Sequence, residues 1–318
     1  MSKGVPGILH TYIQQPTELP LFESASLGSA NCLVFLPGLY DGLVTVPYVD
    51  ALRRHLEQAG WSLAQPQLTA ALKAWGRSSL EQDADEIEQA VDHLRAIGKT
   101  NIVLLGHSTG CQQIMEYLVQ PKKSNGKLRS TINRAIIQAP VSDREANTDS
   151  PSYDPKIQEK LQALYDNTPG DARRDTLCPP EICKYFGLDV TVYRAWSTLC
   201  PGGDDDYFST DLPLTSSTTP SVLRPLDQTF GKLPKDVPLF VIFSGADEYT
   251  PNPEKTQPAL LDNWTRAAFT NSPDAPSSTA GASKGSIRGI IVPGASHNVK
   301  QADKSEWMAQ QILDFIKK

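Results

Sequence analysis

The pentapeptide Gly106-His107-Ser108-Thr109-Gly110 constrains the fold of this chain more than any other segment, because it sits between the apolar run Ile102-Val103-Leu104-Leu105 and a helix-like stretch. A serine hydroxyl is a weak nucleophile, and a chain that uses one must lift it clear of the backbone on a strained turn between a strand and a helix. Only small flanking residues permit that turn, and Gly106 and Gly110 supply them. Strand, turn and helix in that order belong to a parallel sheet with crossover helices.

The rest of the chain repeats the same alternation. Residues 31–37 (NCLVFLP) are too short an apolar run for a helix and are rich in branched and aromatic side chains, as in a buried strand. A helix is predicted over 47–59 with Gly60 as its stop, then a short strand over 61–65. A long helix starts near Ser79, where Ser79 and Gln82 make a capping box. Leu80, Ala84, Ile87, Val91 and Leu94 mark its buried face, and Gly98 ends it. A strand over 101–105, a helix over 109–120 ended by Pro121, and a strand over 132–139 follow.

From about 145 to 234 the pattern breaks into proline-rich, acidic sequence with three short helices. The first carries Ile157, Leu161 and Leu164; the second runs from Pro179-Pro180 to Gly187; the third is capped by Asp189 and passes through Trp196. The sheet pattern resumes at 237–244, with a helix near 255–269, a polar low-complexity loop over 271–286, and a last strand over 287–292. A closing amphipathic helix carries Trp307, Met308, Ile312 and Phe315. The predicted architecture is an α/β-hydrolase fold, a mostly parallel sheet flanked by helices. It forms one domain over 1–318, with a core of 1–144 and 235–318 and a helical or irregular cap inserted at about 145–234.

Bulk properties narrow the partners. A chain of 318 residues with 39% hydrophobic content can bury a large core. A net charge of −6, with no basic run or basic amphipathic helix, argues against nucleic acid or an anionic membrane surface. Nowhere do eighteen consecutive apolar residues occur, and Met1 leads into no apolar h-region, so a soluble, cytoplasmic protein is expected. Five cysteines (Cys32, Cys111, Cys178, Cys183 and Cys200) are an odd number without zinc-like spacing and read as reduced thiols used in packing. No metal or cofactor is expected.

A nucleophilic serine needs a base and a carboxylate to orient it, in the chain order serine, acid, histidine. His10, His55 and His93 precede Ser108, and His107 is expected to turn its side chain away, which leaves His297 in Pro293-Gly294-Ala295-Ser296-His297-Asn298. Asp247, in Ser244-Gly245-Ala246-Asp247-Glu248, is preferred as the acid because its turn leaves a short carboxylate at the carboxyl edge of the sheet. Asp143 is the alternative and Glu248 a distant third. The oxyanion donors are expected to be the backbone N–H groups of Thr109 and of Leu39, with Gly38 next after Leu39, on the loop Pro37-Gly38-Leu39-Tyr40-Asp41-Gly42, whose Gly38 and Tyr40 are also expected to touch substrate.

Val141-Ser142-Asp143-Arg144-Glu145, Gly203-Asp204-Asp205-Asp206-Tyr207-Phe208-Ser209 and Ser244-Gly245-Ala246-Asp247-Glu248-Tyr249 together resemble a fungal family of α/β hydrolases catalogued as a domain of unknown function. One branch of that family is a siderophore esterase that opens the ester bonds of fusarinine C. Across nearly the whole chain the resemblance holds, although Pro37 stands where the family usually has a glycine. It implies intracellular hydrolysis of a fusarinine-type hydroxamate ester, acetylated or not, with any iron arriving on the substrate. Asp204, Asp205 and Asp206 are then expected to hold the ammonium groups of such a ligand. The competing expectations are a general carboxylesterase or thioesterase, and a ligand-binding member of the fold without turnover.

Overall fold

The computed structural model describes residues 4–14, 17–120, 126–146, 153–216, 222–270 and 287–318. One eight-stranded sheet organises them in the order β1-β2-β4-β3-β5-β6-β7-β8. The strands are β1 (Gly7–Ile13), β2 (Leu19–Ala25), β3 (Asn31–Leu36), β4 (Ser62–Pro66), β5 (Asn101–His107), β6 (Arg134–Gln138), β7 (Leu239–Ser244) and β8 (Ile287–Val292). From β4 to β8 all neighbours are parallel, whereas β1 and β2 add an antiparallel edge. The sequence reading missed that edge. Ile8 and Leu9 of β1 are exposed, so β1 carries no buried alternation to betray it and is held by pairing with β2.

Helices cover both faces. On one face lie α1 (Val49–Gln58) and α8 (Ala302–Ile316), where Leu52, Leu56, Met308, Ile312 and Phe315 join Phe35, Val103 and Phe240 of the sheet. Trp307 departs from the expected stripe and is 42% exposed. On the other face lie α2 (Leu80–Ala96), α3 (Thr109–Val119) and α7 (Pro253–Thr270). The five α2 positions predicted to face inward are all buried. Its cap is half of the predicted box: the Ser79 hydroxyl accepts the Gln82 N–H at 3.2 Å, but the Gln82 amide turns to Glu86.

Between β6 and β7 the chain forms α4 (Ile157–Asn167), α5 (Pro180–Phe186) and α6 (Val192–Leu199). Thr191, not Asp189, caps α6, its hydroxyl accepting the Arg194 N–H, while Asp189 pairs with Arg77 at the surface. Ile157, Leu161, Ile182, Val192 and Leu199 cluster with Trp75 in an apolar centre separate from the two beneath the sheet. The following stretch behaves differently from the inserted cap read off the sequence. Tyr207, Phe208, Leu226 and Phe230 pack into the main core, where the Phe230 ring stacks on Trp264 of α7 at 4.7 Å. The loop 271–286 and Pro121 lie outside the described residues.

Candidate active site

Ser108 stands between β5 and α3 at φ 54°, ψ −122°. Such a conformation costs a non-glycine residue about 1–3 kcal/mol and persists only where the surroundings enforce it. Close packing enforces it here. A Cβ on Gly106 would lie 2.2 Å from the Gly110 carbonyl oxygen, and one on Gly110 would lie 2.4 Å from that of Leu36. The Ser108 N–H donates to the Gln138 carbonyl at 3.0 Å, fastening the turn to β6. A Cβ on Gly38 would approach the Ser108 Cβ to 2.9 Å, so the loop after β3 rests against the serine. Among the described residues, neither the Leu39 nor the Thr109 backbone N–H donates to another group, which leaves both available at the serine.

The loops after β7 and β8 meet at His297. Its Nδ1 lies 3.0 and 2.9 Å from the two carboxylate oxygens of Asp247, which is 5% exposed. Glu248 accepts the His297 backbone N–H at 2.7 Å, and the Tyr249 ring meets the imidazole edge-on at 4.7 Å. Asp143 makes neither contact: its carboxylate accepts from Gln112 Nε2 at 2.9 Å. Of the two acids weighed from sequence, Asp247 is the one that meets the imidazole. Ser108, His297, Gly38, Leu39, Tyr40, Asp143 and Glu248 all line one cavity of about 430 Å³. The Ser108 hydroxyl accepts no capping bond from its helix, and the residue is half-buried at this space.

The family described as a protein of unknown function (DUF1749) matches residues 1–317. The chain belongs to that family. A UPF0613 protein of Schizosaccharomyces pombe is 31% identical over 344 residues, covering 100% of this chain and 98% of the relative. Fusarinine C esterase sidJ of Aspergillus fumigatus is 28% identical, covering 98% of this chain and 96% of its own. Among solved structures, the siderophore hydrolase EstB from Aspergillus fumigatus superposes with a TM-score of 0.75 at 28% identity, over 99% of this chain and 97% of that one. An α/β-hydrolase-fold protein of unknown function, 18% identical with a TM-score of 0.62, shares the fold. The sheet described above is that of the α/β-hydrolase fold.

Two sequence-based expectations for this DUF1749 member require correction. The first concerns His107, whose ring was expected to turn away. It lines the same cavity with its centroid 5.0 Å from that of His297. Burial, reinforced by the neighbouring His297, lowers its pKa to about 3. The ring is therefore neutral, and its Nδ1–H donates to Gln138 Oε1 at 2.6 Å. Gln138 Nε2 donates in turn to Ser244 Oγ and the His297 carbonyl. This fully buried glutamine was overlooked in the sequence. Its only signal is an amide at the end of an apolar strand, just where β6 reaches the carboxyl edge.

The second concerns Asp204, Asp205 and Asp206. Asp205 is 3% exposed and receives Arg194 Nη1 on both oxygens at 2.6 and 2.8 Å, with a further bond from Ser197. Asp206 is 5% exposed and accepts from Arg144 Nε at 3.0 Å and from Ser209. Asp204 accepts from the Tyr193 hydroxyl. These carboxylates are consumed in holding the chain between α6 and β7, because a buried charge must find a partner and arginine supplies it. They line neither the serine cavity nor its neighbour. Cys111 agrees with its reading as packing: it is fully buried against the Gly106 and Gln138 carbonyls, and burial pushes its thiol far up. All five cysteines are free thiols. Among the described residues no group of three potential metal ligands forms, and no helix is long and apolar enough to cross a membrane.

Proposed function

We propose that this ester hydrolase acts through Ser108, His297 and Asp247 on a hydroxamate siderophore ester of the fusarinine type. The observation that carries the mechanism is the Asp247 carboxylate astride His297 Nδ1 in the cavity that holds Ser108. Asp247 fixes the tautomer with Nδ1–H toward itself, so Nε2 presents the lone pair that takes the Ser108 proton. Ser108 Oγ then bonds to the ester carbonyl carbon, and the negative charge on the carbonyl oxygen is met by the N–H groups of Leu39 and Thr109. Collapse expels the alcohol, which takes the proton from His297, and water releases the acyl group by the same steps in reverse.

Support for the substrate comes from the relatives that bear an activity, fusarinine C esterase sidJ and siderophore hydrolase EstB, which align over nearly the whole chain. Iron enters this reading as part of the substrate. The test is to incubate the protein with ferric and iron-free fusarinine C and with short p-nitrophenyl esters, and to follow products by mass spectrometry. Ring-opened siderophore from the native protein and none from Ser108→Ala is the expected result. Turnover confined to the simple esters would leave a general carboxylesterase, and no labelling by a fluorophosphonate would leave a binding protein without turnover.

A further inference from the structure

The serine cavity is not alone. A second cavity of about 630 Å³, walled by Trp75 and by Glu181, Lys184 and Phe186 of α5, shares Leu39, Tyr40, Asp143 and Ala146 with it. Each volume by itself lies in the range that holds a small ligand. Asp143 stands at the neck between them. Its carboxylate is held by Gln112, which is four residues past Ser108 on α3 and hence about one helical turn, roughly 6 Å, from the nucleophile.

Among the carboxylates near the site, Asp247 holds the His297 ring, Asp205 the Arg194 guanidinium and Asp206 that of Arg144. Glu248 and Asp41 each accept from one neutral group, the His297 backbone N–H and the Thr45 hydroxyl, and of the two cavities line only that of the serine. Asp143 also has a single neutral partner on one oxygen, is half-buried, and lines both cavities. The lysines that line the two cavities are Lys300 beside the serine and Lys184 in the second, the latter three residues after Glu181 on α5.

We propose that the second cavity is a substrate subsite and that Asp143 is a specificity-determining residue that anchors a protonated amine on an ester spanning the two cavities. The assignment rests on the hydrolase reading above and adds the chemistry of the arm that the substrate extends. It also transfers to Asp143 the cation recognition that Asp204, Asp205 and Asp206, held by Tyr193, Arg194 and Arg144, do not supply. Asp143 faces Gln112 from α3, Arg194 and Asp205 from α6 and the loop after it, Asp206 beside them, and His297 from the loop after β8. Burial, with Asp205 assisting and Arg194 and His297 opposing, raises its pKa to about 7. The anchor therefore gains charge as the pH rises from 6 to 8, while an alkylammonium stays protonated throughout.

The test compares p-nitrophenyl 6-aminohexanoate with the neutral 6-hydroxyhexanoate on native protein and on Asp143→Asn, between pH 6 and pH 8. Taking the ratio of kcat/KM for the two esters cancels the titration of the shared catalytic groups. The expected ratio favours the amine by about tenfold at pH 8, chiefly through KM, because a hydrogen-bonded charge pair of this kind is worth at least that factor. It should shrink toward pH 6 and approach one at every pH in Asp143→Asn. A native ratio that is flat with pH, or one that Asn preserves, overturns the proposal, and the native pH series decides it even if the variant does not fold. Hydrolysis of both esters without discrimination sinks this inference alone. Loss of fluorophosphonate labelling at Ser108 removes the hydrolase reading beneath it.

Discussion

The loops that carry Ser108, Asp247 and His297 and the segment from α4 to β7 solve the same problem, fixing polar groups away from water, in opposite ways. At the serine the fixing is done by backbone: strand ends set the positions, glycines admit close approach, and carbonyls such as those of Leu36 and Gln138 take up the slack. Between β6 and β7 it is done by charge, with Arg194 on Asp205 and Arg144 on Asp206 tying irregular chain together. Backbone fixing reaches as far as Leu36 and Gln138, but it requires particular small residues beside the serine, Gly106 and Gly110, so it leaves a motif. Charge fixing requires only an arginine and a carboxylate, eleven residues apart in one pair and sixty-two in the other, and leaves only a composition bias.

The contrast implies that substitutions at the sheet edge should cost rate, and substitutions between β6 and β7 should cost stability. The largest effect expected is that of Ser108→Ala, which should lower kcat on the order of a million-fold with the fold intact by circular dichroism. Asp247→Asn should follow, at about ten-thousand-fold in kcat, because the imidazole would lose the tautomer that the carboxylate imposes. Asp143→Asn at the same pH should cost far less on a neutral ester. Were that order reversed, Asp143 would be the orienting acid and the geometry at His297 misread.

Arg194→Ala tests the other region. Leaving Asp205 buried without its partner should destabilise by about 3–5 kcal/mol in urea unfolding, with kcat of the surviving folded protein much less affected than by Asp247→Asn. A collapse of kcat without loss of stability would erase the division drawn here. The smallest effect expected is at Tyr40→Phe, which removes the hydroxyl bond to the Phe186 carbonyl where the loop after β3 meets α5. A loss of about 1 kcal/mol in stability fits a neutral bond in a half-exposed place. A kinetic effect larger than the stability effect would show that the link between the two regions acts in the chemistry.

Legibility followed the same division. That Ser108, His297 and Asp247 would come together could be expected because fold class, chain order and the five histidines left few choices. The parallel strands and the face of α2 could be read because periodicity reports burial. The antiparallel edge escaped because Ile8 and Leu9 are exposed, and the cap of α6 because both Asp189 and Thr191 are good capping residues and only the backbone path selects Thr191. Asp204, Asp205 and Asp206 were misread for a plainer reason. A run of acids looks the same in sequence whether it faces a ligand or an arginine.

The sequence by itself determined which hydroxyl, imidazole and carboxylate are of the right kind and in the right order, since the strained turn at Ser108 needs particular neighbours within a few residues of it. Only the tertiary structure decided which charges are already spent. Pairing depends on what lies within about 4 Å in space, and Arg144, sixty-two residues before Asp206, reaches it only because the chain after α6 returns to α3, where the Tyr207 hydroxyl donates to Glu116.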